Sequence, residues 1–116
     1  MIRALLATAL AALVAVPAEA ATPARLQVVA REFSFNLSRQ RLKPGQAIVE
    51  LVNFGDDAHD LRLRRVGGAR TYGIRAVQPG RFARVRLRLL PGRYRLWCSI
   101  ANHRALGMRA KVVVRR

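Results

Sequence analysis

Acidic side chains are scarce in this chain. Its 116 residues include 6 Asp and Glu against 22 Lys and Arg, for a net charge of +16 at pH 7. Lysine is scarcer still: Lys43 and Lys111 are the only two, so arginine carries almost all the positive charge. The single cysteine, Cys98, excludes an internal disulfide, so stability must come from packing and from whatever the thiol can bind. There is no P-loop, no C-x-x-C-H haem motif and no nucleophile–base pair, and Arg70, Tyr72 and Trp97 fit no catalytic constellation. Internal repeats and low-complexity linkers are absent after residue 20. Long apolar runs are missing too. The uncharged stretch from Ala4 to Val16 is shorter than the roughly 20 residues that span a bilayer.

The flanks of that stretch explain it. Met1-Ile2-Arg3 is a short positive start, Pro17 ends the apolar run, and Ala18-Glu19-Ala20 supplies an A-x-A pattern. This is the layout of a secretory signal peptide over residues 1–20, with cleavage expected after Ala20. Residues 1–20 hold no twin arginine, which favours Sec-type export and a periplasmic or otherwise exported protein. The remaining 96 residues, 21–116, make one domain with a modest core. Losing Arg3 and Glu19 leaves 21 basic and 5 acidic residues, still +16. Such charge is expected to meet an acidic redox protein or an anionic membrane surface, or else to be a solvated arginine surface without a partner. Nucleic acid is not expected, because export removes the chain from it and no binding motif is present. A monomer without a small-molecule substrate is expected.

The mature chain reads as strands. Leu26, Val28 and Ala30 alternate with more polar neighbours, as do Phe33, Phe35 and Leu37 with Ser34, Asn36 and Ser38. Lys43-Pro44-Gly45 is a turn, and Ala47 to Phe54 is apolar and β-branched enough for a central strand. Leu61 and Leu63 alternate with Arg62 and Arg64; a looser stretch runs from Gly67 to Gly80. Phe82, Val85, Leu87 and Leu89 then stand among arginines, Pro91-Gly92 turns into Tyr94 and Leu96, and Ala110, Val112 and Val114 close the chain. Seven or so short strands without a convincing helix predict an all-β sandwich or small barrel.

The chemistry concentrates in Cys98-Ser99-Ile100-Ala101-Asn102-His103-Arg104-Ala105-Leu106-Gly107-Met108, a C-x4-H-x4-M spacing. Soft sulfur plus imidazole suits copper better than magnesium or calcium, and a trigonal copper site takes a second imidazole with a long axial thioether. His59 is the only other histidine. Each residue alone also has a plainer reading: a buried thiol, an exposed loop histidine, a gap-filling methionine, a surface histidine among acids. A lone thiol in an oxidising compartment is a liability that burial or metal ligation would remove. Asp56, Asp57 and Asp60 lack EF-hand spacing and read as a solvated turn.

The run YRLWCSIANHRALGM, with PGRY at its start and His59 upstream, resembles the C-terminal loop of the cupredoxins, the type 1 blue copper proteins. The resemblance covers roughly residues 33–114. It implies a Greek-key cupredoxin-like sandwich of about seven to eight strands and one copper per chain. The ligands would be His59, Cys98 and His103, with Met108 axial. It implies that the His103 imidazole lies near the surface as the electron exit, flanked by Ile100, Ala101, Ala105 and Leu106. It also implies that the residues after His59 and Cys98, here Asp60 and Ser99, tie the two ligand loops together. Asp60 departs from the more frequent Asn. The single cysteine excludes a two-cysteine binuclear centre. The expected function is one-electron transport rather than catalysis, because the protein would fill every ligand position. The alternatives are a copper-handling or copper-tolerance protein of the same fold, and a metal-free sandwich that binds anionic surfaces.

Overall fold

In the computed structural model the described residues are 1–15 and 21–116. The expected cleavage point after Ala20 lies outside them. Residues 1–15 form no helix or strand, and Leu5, Leu6, Leu10 and Leu13 there are almost wholly exposed.

Nine strands and one helical turn make up the rest of the described chain. They are β1 (Ala24–Arg31), β2 (Ser34–Leu37), β3 (Arg41–Leu42), β4 (Gly45–Asn53), β5 (His59–Arg65), β6 (Thr71–Val77), β7 (Phe82–Leu89), β8 (Gly92–Trp97), α1 (His103–Leu106) and β9 (Arg109–Val114). One sheet has the order β2-β1-β4-β7, the other β3-β9-β8-β5-β6. The chain passes between sheets after β2, β3, β4, β6 and β7, so the predicted all-β Greek-key sandwich is the fold observed.

The count exceeds the seven to eight expected. The stretch read as loose between Gly67 and Gly80 contains β6, whose alternation breaks after Ile74, where Ala76 stays exposed and Val77 is buried at a shift in the β5–β6 register. The two-residue β3 is too short for a period to show. The one-turn helix α1 has no amphipathic signature at that length, and its Asn102 makes no side-chain capping bond.

Alternation drives the packing. Inward residues of the first sheet, among them Leu26, Val28, Val49 and Leu51, meet Leu61, Leu63, Leu96, Val112 and Val114 of the second. Outward positions carry the arginines. Phe82 is the exception to the expected pattern: it is out of phase with Leu87 and Leu89 and stays exposed. Tyr94 is buried, and its hydroxyl donates to the Leu90 carbonyl at 2.9 Å, so the turn at Pro91-Gly92 is closed by a satisfied polar group.

The pairings of β4 on its two sides bring distant residues together. β1 runs parallel to β4, with Ala30 opposite Asn53, so the turn after β1 lies beside the loop after β4. On the outer face of that sheet the registers of β1 and β7 set Gln27 and Arg84 on either side of Glu50, and both bond its carboxylate. These bonds, Gln27 first and Arg84 next, hold the Glu50 carboxyl below its ordinary value of 4.5.

Two outcomes test this frame. Leu51 is wholly buried, so Leu51→Ala should lower unfolding stability by about 2–5 kcal/mol in denaturant titrations, the cost of lost transfer and a residual cavity. The folded carboxylate of Glu50 binds its proton less readily than the unfolded one. Its stabilisation is therefore present above pH 4.5 and is lost as pH falls through the lowered folded value. Wild type should exceed Glu50→Gln in stability near neutral pH, and acid titration below about pH 4.5 should erase that advantage.

Candidate metal centre

Four segments meet at one end of the sandwich. β5 starts at His59, which is wholly buried. β8 ends at Trp97, and the next residue continues its alternation, so Tyr94, Leu96 and Cys98 all point inward. The Cys98 N–H still bonds the Met108 carbonyl at 3.1 Å, which closes the 98–108 loop on itself. Within that loop α1 turns His103 inward, and the Met108 N–H bonds the His103 carbonyl at 3.0 Å. The return depends on Gly107, with φ at +130°. A Cβ there would stand 2.8 Å from the Phe33 carbonyl oxygen, so only glycine fits both the backbone and the space.

The side chains of His59, Cys98 and His103 converge, with their donor atoms all within 4.8 Å of one another. The two Nδ1 atoms are 3.3 Å apart, and Cys98 Sγ lies 3.7 Å from His103 Nδ1. Zinc–imidazole and zinc–thiolate bonds, a gauge for a first-row ion, run about 2.0–2.1 and 2.3 Å, so ligands of one ion stand roughly 3.3–3.8 Å apart. The two separations from His103 Nδ1 fit a single small ion, with the His59 and Cys98 donors within 4.8 Å of each other. Met108 is wholly buried in the same loop, tied by backbone to both Cys98 and His103.

The surroundings select the chemical state of each donor. His59 Nε2 lies 3.1 Å from Glu32 Oε1. The same oxygen accepts the backbone N–H groups of Asp57 (2.7 Å) and Asp56 (2.8 Å), and these bonds, Asp57 first, lower the Glu32 carboxyl from 4.5 to about 2. An ionised carboxylate only accepts, so His59 must carry its proton on Nε2. That leaves the Nδ1 lone pair facing the centre, which is the tautomer a metal requires. Burial pushes the Cys98 thiol up from 9.0, so at neutral pH the apo site holds a thiol.

Glu32 is not legible in the sequence as a site residue: it stands 27 positions before His59, and only the parallel β1–β4 pairing brings it there. Gly55 makes room for it, since a Cβ at that position would overlap the Glu32 carboxylate. Asn53 is the other silent member. It is fully buried, donates to the carbonyls of Asp57 and Val77, and accepts the Gly55 N–H, so all of the 54–58 loop hangs from it.

Asp60 corrects the reading of a solvated acidic turn. Asp56 and Asp57 are exposed, but Asp60 is buried and accepts both the N–H and the hydroxyl of Ser99. The tie between the ligand loops is therefore present, made by a carboxylate accepting twice in place of an amide. His103 also differs from an exposed imidazole. It is 7% exposed, and Phe33 packs against its ring at 4.9 Å between centroids. Ala101, Ala105 and Leu106 beside it are exposed, as expected for the flanking patch.

Neither a protein-family model nor any curated protein matches the chain. Solved structures do match. Auracyanin A of Chloroflexus aurantiacus, described as a "blue" copper protein, superposes with a TM-score of 0.65 at 14% identity, over 80% of this chain and 99% of that one. A reduced amicyanin variant gives 0.55 at 21% identity over 76% and 79%. A multicopper oxidase gives 0.61 at 16% identity, over 80% of this chain but 45% of the oxidase.

The thiol state makes metal capture pH-dependent. Binding a divalent ion should release about one proton per chain near neutral pH, and affinity should rise about tenfold per pH unit until Cys98 ionises unaided. Isothermal titration in buffers of different ionisation enthalpy reads this directly. A proton count near zero at pH 7 would mean the thiol is not displaced.

Proposed function

We propose that this chain, whose fold is that of the cupredoxins, is an exported one-electron carrier holding one copper ion through His59, Cys98 and His103, with Met108 as a weak axial donor. The observation that carries the reading is the convergence of two imidazole Nδ1 atoms and one sulfur at the spacing of ligands to a single ion, inside a buried pocket. Copper in such a site supplies a single electron by cycling between its +1 and +2 states. The chain's own residues do the rest. Glu32 and Asp60 lock the ring of His59 and the loop of Cys98 from outside, so the donors stay in place whichever charge they surround. Cys98 and Leu61 are wholly buried and Phe33 covers the His103 ring, which keeps water from the sulfur. With four protein donors assigned, no position is left for substrate, which favours a carrier over an enzyme. Export is supported by the signal-peptide layout of residues 1–20, whose apolar leucines do not pack on the sandwich.

Titrating the purified mature protein with Cu(II) tests the proposal. One copper per chain should bind with an intense thiolate-to-copper band in the visible, the band should bleach and return on reduction and oxidation, and Cys98→Ser should abolish it. A colourless complex, or oxidation of Cys98 in place of binding, would sink the electron-carrier reading.

A further inference from the structure

The outer face of the five-stranded sheet repeats one sign of charge. Register sets Arg64 of β5 opposite Arg95 of β8, and Arg95 opposite Lys111 of β9. Directly opposed side chains have Cβ atoms about 4.5–5.5 Å apart, and like charges there repel. The next row carries Trp97 between Arg62 and Arg109. Arg104 reaches over from α1 and stacks on the Trp97 ring at 4.8 Å.

These residues line two adjoining grooves of about 470 Å³ each. Arg64, Arg65, Val66 and the Gly67-Gly68 turn line the first; Arg109 and Lys111 line the second; Arg95 and Arg104 belong to both. No acidic residue lines either groove. Among the described residues, none of the six groove cations is in an ion pair, although Arg62 beside Trp97, and Arg84 on the other sheet, each find a carboxylate. The fold thus concentrates unneutralised charge in a recess with an aromatic floor.

We infer that this recess is a docking groove for an extended acidic segment of a partner protein. Charge complementarity requires an anion. Shape and spacing choose among anions. A bilayer is planar and meets protruding side chains, whereas these cations line a concavity and one of them folds inward onto Trp97. Along a strand, alternate residues recur at about 6.6–6.8 Å, which is the spacing of Arg109 and Lys111. An extended segment with an acid at every second position presents carboxylates at the same interval. The groove is built on the residue before Cys98 and the residue after His103, so a partner seated there lies against both ligand-bearing segments. The docking depends on charge and shape alone and stands or falls separately from copper binding.

The test titrates the metal-free protein, at low ionic strength, with a twelve-residue peptide of alternating Glu and Ser. The Trp97 indole resonance and the amides of β8, α1 and β9 should shift. The pair Arg95→Gln with Arg104→Gln should weaken binding about tenfold, the loss of two partly exposed ion pairs. Arg86→Gln with Arg88→Gln, on β7 of the other sheet, removes the same charge and should change affinity less than about twofold. Equal losses from both pairs would mean binding by net charge and would overturn the groove. An unmoved Trp97 resonance at saturation would overturn it without any variant. So would tighter binding through the same residues to phosphatidylglycerol-containing vesicles, or to a DNA oligonucleotide.

Discussion

The antiparallel register of β5 against β8 is the constraint on which the centre depends. With Arg62 opposite Trp97, the same register carried two residues further sets Asp60 opposite Ser99. The Asp60 carboxylate then closes the two strand ends together just where the ladder stops. A slip of one residue would turn Cys98 and Leu61 out to solvent and bring Trp97 and Arg62 into the core. The leucines that alternate along both strands forbid that slip, so burial of ordinary aliphatic side chains fixes the separation of an imidazole from a thiol. The backbone bonds within the 98–108 loop then bring His103 to the same point.

Around this pair the protein divides its labour between sulfur, nitrogen and charge. The donors themselves sit in an apolar shell that keeps the thiol protonated until something displaces the proton. The carboxylate that hydrogen-bonds a donor ring, Glu32, stands outside that shell, on backbone amides that hold it ionised. The acid thus acts on the site without entering it, which avoids the cost of a buried charge. Asp60 differs in being buried, and its charge is met instead by the Ser99 N–H and hydroxyl and by Arg62 at 3.6 Å.

Much of this is legible in the sequence because it is local. The C-x4-H-x4-M loop, the lone upstream histidine and the alternating strands all declare themselves within about ten residues. What is not legible is long-range. Glu32 belongs to the site through a parallel pairing that no short window reveals, and Asn53 carries a loop through three bonds that one buried amide happens to reach. Asp60 misleads because its neighbours Asp56 and Asp57 share its chemistry but not its burial. β6 escapes because its period of two breaks between Ile74 and Val77, and α1 because four residues cannot establish a helical period. The outward arginines are plain as composition; their assembly into unbroken cross-strand rows is a property of register.

The order in which these pieces lie along the chain has a consequence for biosynthesis. Glu32 and His59 come well before the other donors, but the thiol, the second imidazole and the thioether all fall between residues 98 and 108, and the strand that locks their loop is β9. A nascent chain therefore lacks three of these four side chains until residue 108 and the strand after it have been made. Assembly of the centre therefore waits on the 98–108 loop and on β9, and what the early-made Glu32 and His59 do before then is only to hold one imidazole in place.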